Sequence, residues 1–244
     1  MANLKNRRRF ALPIIGAFGL CFASGCGVAA SHHNMSGVKL FQQGQYPAAI
    51  QEFQHAISTQ PTNADAYYNL ASSIHRVGAQ QKNRELLNQA EQLYNQCLDK
   101  DENHVDCRRA LAVLLVETDR SDRAFNLMKN WVAENPRAEN ARVELARLYE
   151  EFGDNESATL NLQQALQLNS NNPRALAALG RLREQSGDIT QALVNYQRSY
   201  RANPAQPAVA ARIASLQGRA VGAPAIGNPN GTRTVSTGAP KSRY

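Results

Sequence analysis

Five histidines, four cysteines and several carboxylate clusters are the groups in this 244-residue chain that could do chemistry, and their spacing decides how much is open to them. His32 and His33 are adjacent, while His55, His75 and His104 are scattered. None forms an i, i+4 pair with a third ligand, so neither a metal site nor a cofactor is expected. The chain has no phosphate-cradling glycine loop and no nucleophile elbow. Glu150-Glu151 and Asp99-Asp101-Glu102 read as solvated charge at helix ends. No small-molecule substrate is evident, and the expectation is a protein that is not an enzyme. Cys97 and Cys107 lie ten apart without a C-x-x-C motif; an oxidising compartment permits a disulfide between them, and packed thiols are the alternative. Cys26 stands directly after Ala23-Ser24-Gly25, and Arg147 and Arg181 are separated by 34 residues.

That interval belongs to the whole chain. Ala90, Ala124, Ala158 and Ala192 are spaced by 34, and Ala49 precedes the first by 41. Gly37, Ala71, Ala112, Ala146, Gly180 and Ala214 keep the same beat, as do Gly44, Gly78, Asp119, Gly153 and Gly187. A fixed period of this size marks a stack in which each unit buries its apolar face only against its neighbours. Each unit reads as two short helices. Ala66, Tyr67, Leu70, Ala71 and Ile74 form one stripe that Gly78 ends; Ala192, Leu193, Tyr196 and Ser199 form another. Pro61, Pro136 and Pro204 close three of the five units. Unit two is longer by seven residues. Its second helix is expected to start near Gln81 and to project past its neighbours with Leu86 and Leu87, either as a docking ridge or as cover for an adjacent unit. Trp131, the only tryptophan, fills a slot held elsewhere by small residues, and both a core role and ligand stacking are open.

The small residue eight places into each unit, the turn glycine, the alanine five later and the closing proline resemble the tetratricopeptide repeat. The resemblance covers units 30–63, 64–104, 105–138, 139–172 and 173–206, with a capping helix at 207–218. It implies an all-α, right-handed solenoid over 31–218 that binds a protein or peptide partner in a groove lined by first helices. The residues it places there include Tyr68, Asn69, Ser72, His75, Arg109, Arg147, Glu150 and Arg181, with Asp65, Val113 and Arg174 beside them. Arg147 and Arg181, one repeat apart, could receive an acidic segment or could pair internally with Glu144, Glu150, Glu151 or Glu184.

The amino end carries an address. Lys5, Arg7, Arg8 and Arg9 precede an apolar run from Phe10 to Phe22, the pattern of a secretory signal over 1–25. Ala23-Ser24-Gly25-Cys26 resembles the lipobox of bacterial lipoproteins. That resemblance implies lipidation (palmitate among the acyl chains) at Cys26, followed by a lipid-proximal linker at 26–30; an ordinary cleaved signal is the alternative. Arg7-Arg8-Arg9-Phe10 also resembles a twin-arginine signal, so either export route is open. Gly27 favours the outer over the inner membrane by the same resemblance.

The net charge of +7 does not point to nucleic acid. Residues 30–218 hold 19 Lys/Arg against 20 Asp/Glu, and the excess sits in the signal and in a basic, Gly/Pro-rich tail at 219–244 that is expected to be disordered. The implied protein is a lipid-anchored periplasmic adaptor or scaffold, in assembly of an envelope machine such as a pilus or secretin. The alternative is a non-catalytic accessory subunit of an envelope enzyme, or a cryptic enzyme. Replacing Cys26→Ser is expected to block processing or release the protein from membranes. Unchanged processing and unchanged membrane fractionation of that variant would refute the anchor.

Overall fold

The computed structural model describes residues 23–222, and among these there are eleven α-helices and no strand. In chain order they are α1 (Ala23–Gln42), α2 (Tyr46–Thr59), α3 (Ala64–Gln81), α4 (Arg84–Lys100), α5 (Val105–Glu117), α6 (Ser121–Glu134), α7 (Glu139–Glu151), α8 (Asn155–Leu168), α9 (Pro173–Gln185), α10 (Ile189–Ala202) and α11 (Pro207–Gly222). The all-α fold is the one expected. Most of the signal pattern and of the basic tail lies outside the described residues. Cys26 and the expected linker, 26–30, fall within the backbone of α1. The chain divides into two compact units, an N-terminal one holding α1–α6 and a C-terminal one holding α7–α11.

In the N-terminal unit, α1 packs on α2, α3 on α4 and α5 on α6, and α2–α3 and α4–α5 contacts join successive hairpins. In the C-terminal unit the same scheme runs through α7–α8 and α9–α10, with α11 against α10. Local sequence sets the starts. Asn63, Asn83, His104, Asp154, Asn172 and Asp188 each accept a backbone N–H from the first turn of the helix they precede. Gly153 closes the α7–α8 turn at φ +79°. Asp119, its counterpart one repeat earlier, takes the same left-handed conformation at φ +58°, which a short polar side chain tolerates better than most.

Gly78 does not end a helix. It is buried inside α3, which runs on to Gln81, and the left-handed turn residue is Lys82 at φ +51°. The extra seven residues are therefore shared: α3 has 18 residues where α5 has 13, and α4 has 17 where α6 has 14. One added turn on each arm keeps a hairpin in register, whereas two on one arm would not. Second helix α4 starts at Arg84, later than expected, and Leu86 and Leu87 are not a projecting ridge. They close on Gly78, where a β-carbon would lie 3.0 Å from Leu86 Cβ and 3.2 Å from Leu87 Cδ2.

Trp131 is a core residue, 1 % exposed. Its Nε1 donates to Asn103 Oδ1 at 3.4 Å and Arg108 lies 5.1 Å over its ring, so the polar edge and the π-face are both occupied from within. Cys97 and Cys107 meet in the same core as free, fully buried thiols rather than as a bridge. Cys107 Sγ donates to the Tyr94 carbonyl, and its hydrogen bond with Cys97, together with burial, pushes its pKa far up.

In the C-terminal unit α9 and α10 approach closely at Gly180, where a β-carbon would fall 2.9 Å from the Tyr196 ring. That ring belongs to the closing core of Ala192, Tyr196 and Leu216, on which Val209 and Ile213 of α11 also pack. Gly180→Val is expected to destabilise the C-terminal unit by roughly 1–3 kcal/mol through overpacking. Denaturant unfolding followed by helical circular dichroism checks it; an unchanged midpoint would show that α9 and α10 can move apart freely.

Candidate functional site

Within the N-terminal unit, α3 and α5 place Tyr68, Ser72, His75 and Arg109 around one pocket of about 300 Å³, with Val113 on the same wall. Five of the expected groove residues thus come together. The pocket also takes Phe41, Tyr94 and Glu117, which sequence reasoning did not single out. His75 is its hinge point: Nε2 donates to Glu117 Oε2 at 2.8 Å, and Nδ1 lies 3.3 Å from the Tyr94 hydroxyl, which is itself 3.3 Å from Ser72 Oγ. The Tyr68 ring sits between Tyr94 and His104, with centroids 6.4 and 5.2 Å away. Burial raises the pKa of both Tyr68 and Tyr94, so both hydroxyls stay protonated as hydrogen-bonding groups at neutral pH. Arg109 donates to Asp106 at 2.9 Å on its own helix.

The flanking residues hold successive helices together. Asn69 donates to Asn34 Oδ1 at 3.0 Å, tying α3 to α1. His104 accepts from the Cys107 amide through Nδ1, which leaves Nε2 to donate to Asp65 at 3.0 Å. Asn69 and Asp65, both expected to face a partner, therefore have structural engagements already.

In the C-terminal unit, Arg147, Glu150, Glu151 and Arg181 line a second hollow of about 590 Å³. Here the two readings of the arginines separate: both are paired within the unit. Arg181 forms a two-pronged bond to Glu150, 2.6 Å on each arm, and this partner raises its pKa. Arg147 bonds Glu151 at 3.0 Å and lies 3.5 Å from Glu144. Glu144 is fully buried and also holds Arg174; Glu184 holds Arg212 and accepts from the Tyr196 hydroxyl at 3.1 Å. Burial and the Glu184 bond push the Tyr196 pKa up to about 12. Glu144, Glu150 and Glu184 thus each meet a guanidinium from the next first helix or the cap, 28 to 31 positions on. That interval was the signal available in the sequence, and all three acids carry it.

Among the described residues no cluster of His, Cys, Asp or Glu could hold a metal ion, and no helix is long and apolar enough to cross a membrane.

Two segments match family models. Residues 37–78 match a TPR repeat and residues 143–207 a tetratricopeptide repeat. The chain carries tetratricopeptide repeats. Similar solved structures include a thermophilic TPR protein of Thermus thermophilus, 24% identical, covering 78% of this chain and 99% of that one with a TM-score of 0.58. A second is pilF of Pseudomonas aeruginosa, 18% identical, covering 81% and 88% with a TM-score of 0.51. Both are likenesses of fold: an all-helical solenoid of tetratricopeptide type. No curated protein sequence matches the chain.

The pairing pattern of these repeats makes two carboxylates unequal. Glu144→Ala strips a buried charge from beside two arginines and is expected to cost about 3 kcal/mol or more. Glu150→Ala removes an acid whose partner Arg181 is half exposed, and about 1 kcal/mol or less is expected. Equal losses in chemical denaturation would contradict this ranking.

Proposed function

We propose that this chain is a lipid-anchored adaptor of a bacterial envelope, facing the periplasm, whose tetratricopeptide repeats hold a protein or peptide partner near the membrane. Outer-membrane placement and service to an assembly machine such as a pilus or secretin are the specific form of the proposal. Their support is the signal pattern, Cys26 and Gly27, together with a protein-interaction fold.

The observation that carries the binding reading is the pocket of the N-terminal unit. It combines aromatic walls from Phe41, Tyr68 and Tyr94 with hydrogen-bonding groups at Ser72 and His75. About 300 Å³ suits a single side chain of a peptide rather than a whole small-molecule ligand. An extended segment that seats one apolar or aromatic residue there meets polar partners at the rim in Arg109 and Glu117. The C-terminal hollow, its arginines already neutralised, offers polar contact with less charge preference than the sequence suggests.

The test is capture from envelopes by the intact lipoprotein and by Tyr68→Ala and His75→Ala variants, backed by a peptide display screen on the same proteins. Both variants are expected to lose the captured partner by tenfold or more while keeping their helical dichroism. A partner retained at full strength by both would move the binding site out of this pocket.

A further inference from the structure

The exposed face of the second helices changes character along the chain. One repeat position reads Gln51 on α2, Gln92 on α4, Asn126 on α6, Leu160 on α8 and Val194 on α10, and all five are exposed. The polar residues all belong to the N-terminal unit and the apolar ones to the C-terminal unit. On α10, Val194 is followed on the same stripe, four and seven residues later, by Arg198 and Arg201, both exposed. These two arginines and Asn171 line an open hollow of about 440 Å³. Arg198 donates to the Ser170 carbonyl at 2.9 Å, so its charge is oriented without being neutralised by that contact.

Charge divides the same way. Residues 30–172 hold thirteen Lys/Arg against eighteen Asp/Glu, whereas 173–222 hold seven against two. Both of those acids are engaged: Glu184 holds Arg212, and Asp188 caps α10 by accepting from the Gln191 amide. The 22 residues that follow α11 add Arg233, Lys241 and Arg243 and no acid. The near-neutral total for the array conceals a basic carboxyl third of the chain.

We infer that the exposed face of α10, with Leu160 of α8, docks on an anionic lipid bilayer. Branched apolar side chains beside arginines fit the boundary of a bilayer, where the aliphatic parts enter the acyl region and the guanidinium groups stay with the phosphates. A nucleic-acid surface would use the cations and leave Leu160 and Val194 without a role. This contact is separate from the pocket that takes the partner and from acylation at Cys26.

The experiment uses the full chain in a Cys21→Ser, Cys26→Ser background with Val194→Cys, labelled by an environment-sensitive fluorophore; Cys97 and Cys107 are buried and out of its reach. Vesicles of phosphatidylglycerol and phosphatidylethanolamine are expected to shift the emission to the blue and raise it several-fold. Vesicles of phosphatidylcholine are not, and neither is the same label at Gln51→Cys, which keeps the identical amino end. Adding Arg198→Glu and Arg201→Glu is expected to abolish the response, with helical dichroism confirming the fold. The proposal is overturned if the Val194 label stays silent, if the Gln51 label responds equally, or if polyglutamate or polyphosphate without lipid reproduces the signal.

Discussion

The closeness of paired helices is the constraint on which the rest of each unit depends. At Gly37 a β-carbon would sit 2.5 Å from the Phe53 ring, and at Gly180 2.9 Å from that of Tyr196. These approaches fix more than packing density. With its ring against Gly180, the Tyr196 hydroxyl reaches Glu184; Glu184 holds Arg212; and Arg212 belongs to the helix whose Leu216 seals the end of the C-terminal unit. One absent methyl group therefore conditions a polar chain that ends in the cap. At the same repeat position Ala71, Ala112 and Ala146 carry a methyl group, and Ala146 shares a core with Leu162, so each hairpin fills its crossing with its own combination of volumes.

The polar cross-links differ between the units. In the N-terminal unit the links that join successive first helices are amide and imidazole contacts: Asn69 to Asn34, His75 to Glu117, His104 to Asp65. In the C-terminal unit they are guanidinium–carboxylate pairs, one built on the buried Glu144. The first kind leaves aromatic faces and hydroxyls turned toward a pocket. The second consumes its own charges. A sequence that offers arginines at equivalent positions of adjacent repeats thus invites an acidic ligand on paper and satisfies itself in the fold.

The repeat was legible because its period is enforced by burial: a residue that sets helix approach must recur wherever the approach recurs. Gly180, Ala146 and Ala112 announced their helices for that reason. Gly78 misled for the same reason. It sits on the period counted from one end of unit two, but the extra turn on each arm moves the hairpin's bend four residues onward, to Lys82 and Asn83. Five site residues, Tyr68, Ser72, His75, Arg109 and Val113, followed from the resemblance to the tetratricopeptide repeat, which lines the groove with first helices. Tyr94 did not, because it reaches the same pocket from a second helix, across the hairpin. Nor could spacing decide whether Arg147 and Arg181 were available. That depends on acids such as Glu150, which reaches Arg181 from a different helix about 30 positions away, just as Glu144 reaches Arg174.

A repeat array separates two kinds of evolutionary freedom. Positions that face a neighbouring helix are bound to the period, since any change alters a stacking distance. Positions on the exposed stripe of a second helix set no stacking distance, so each repeat can choose them alone. Gln51, Gln92 and Asn126 against Leu160 and Val194 is that freedom in use: the buried counterparts two residues earlier, Ala49, Ala90, Ala124, Ala158 and Ala192, never vary. Where a repeat departs from its siblings at a buried position, the cause is steric. Where it departs at an exposed one, together with a reversal of local charge, stacking supplies no reason, and the reason must lie in what that face meets.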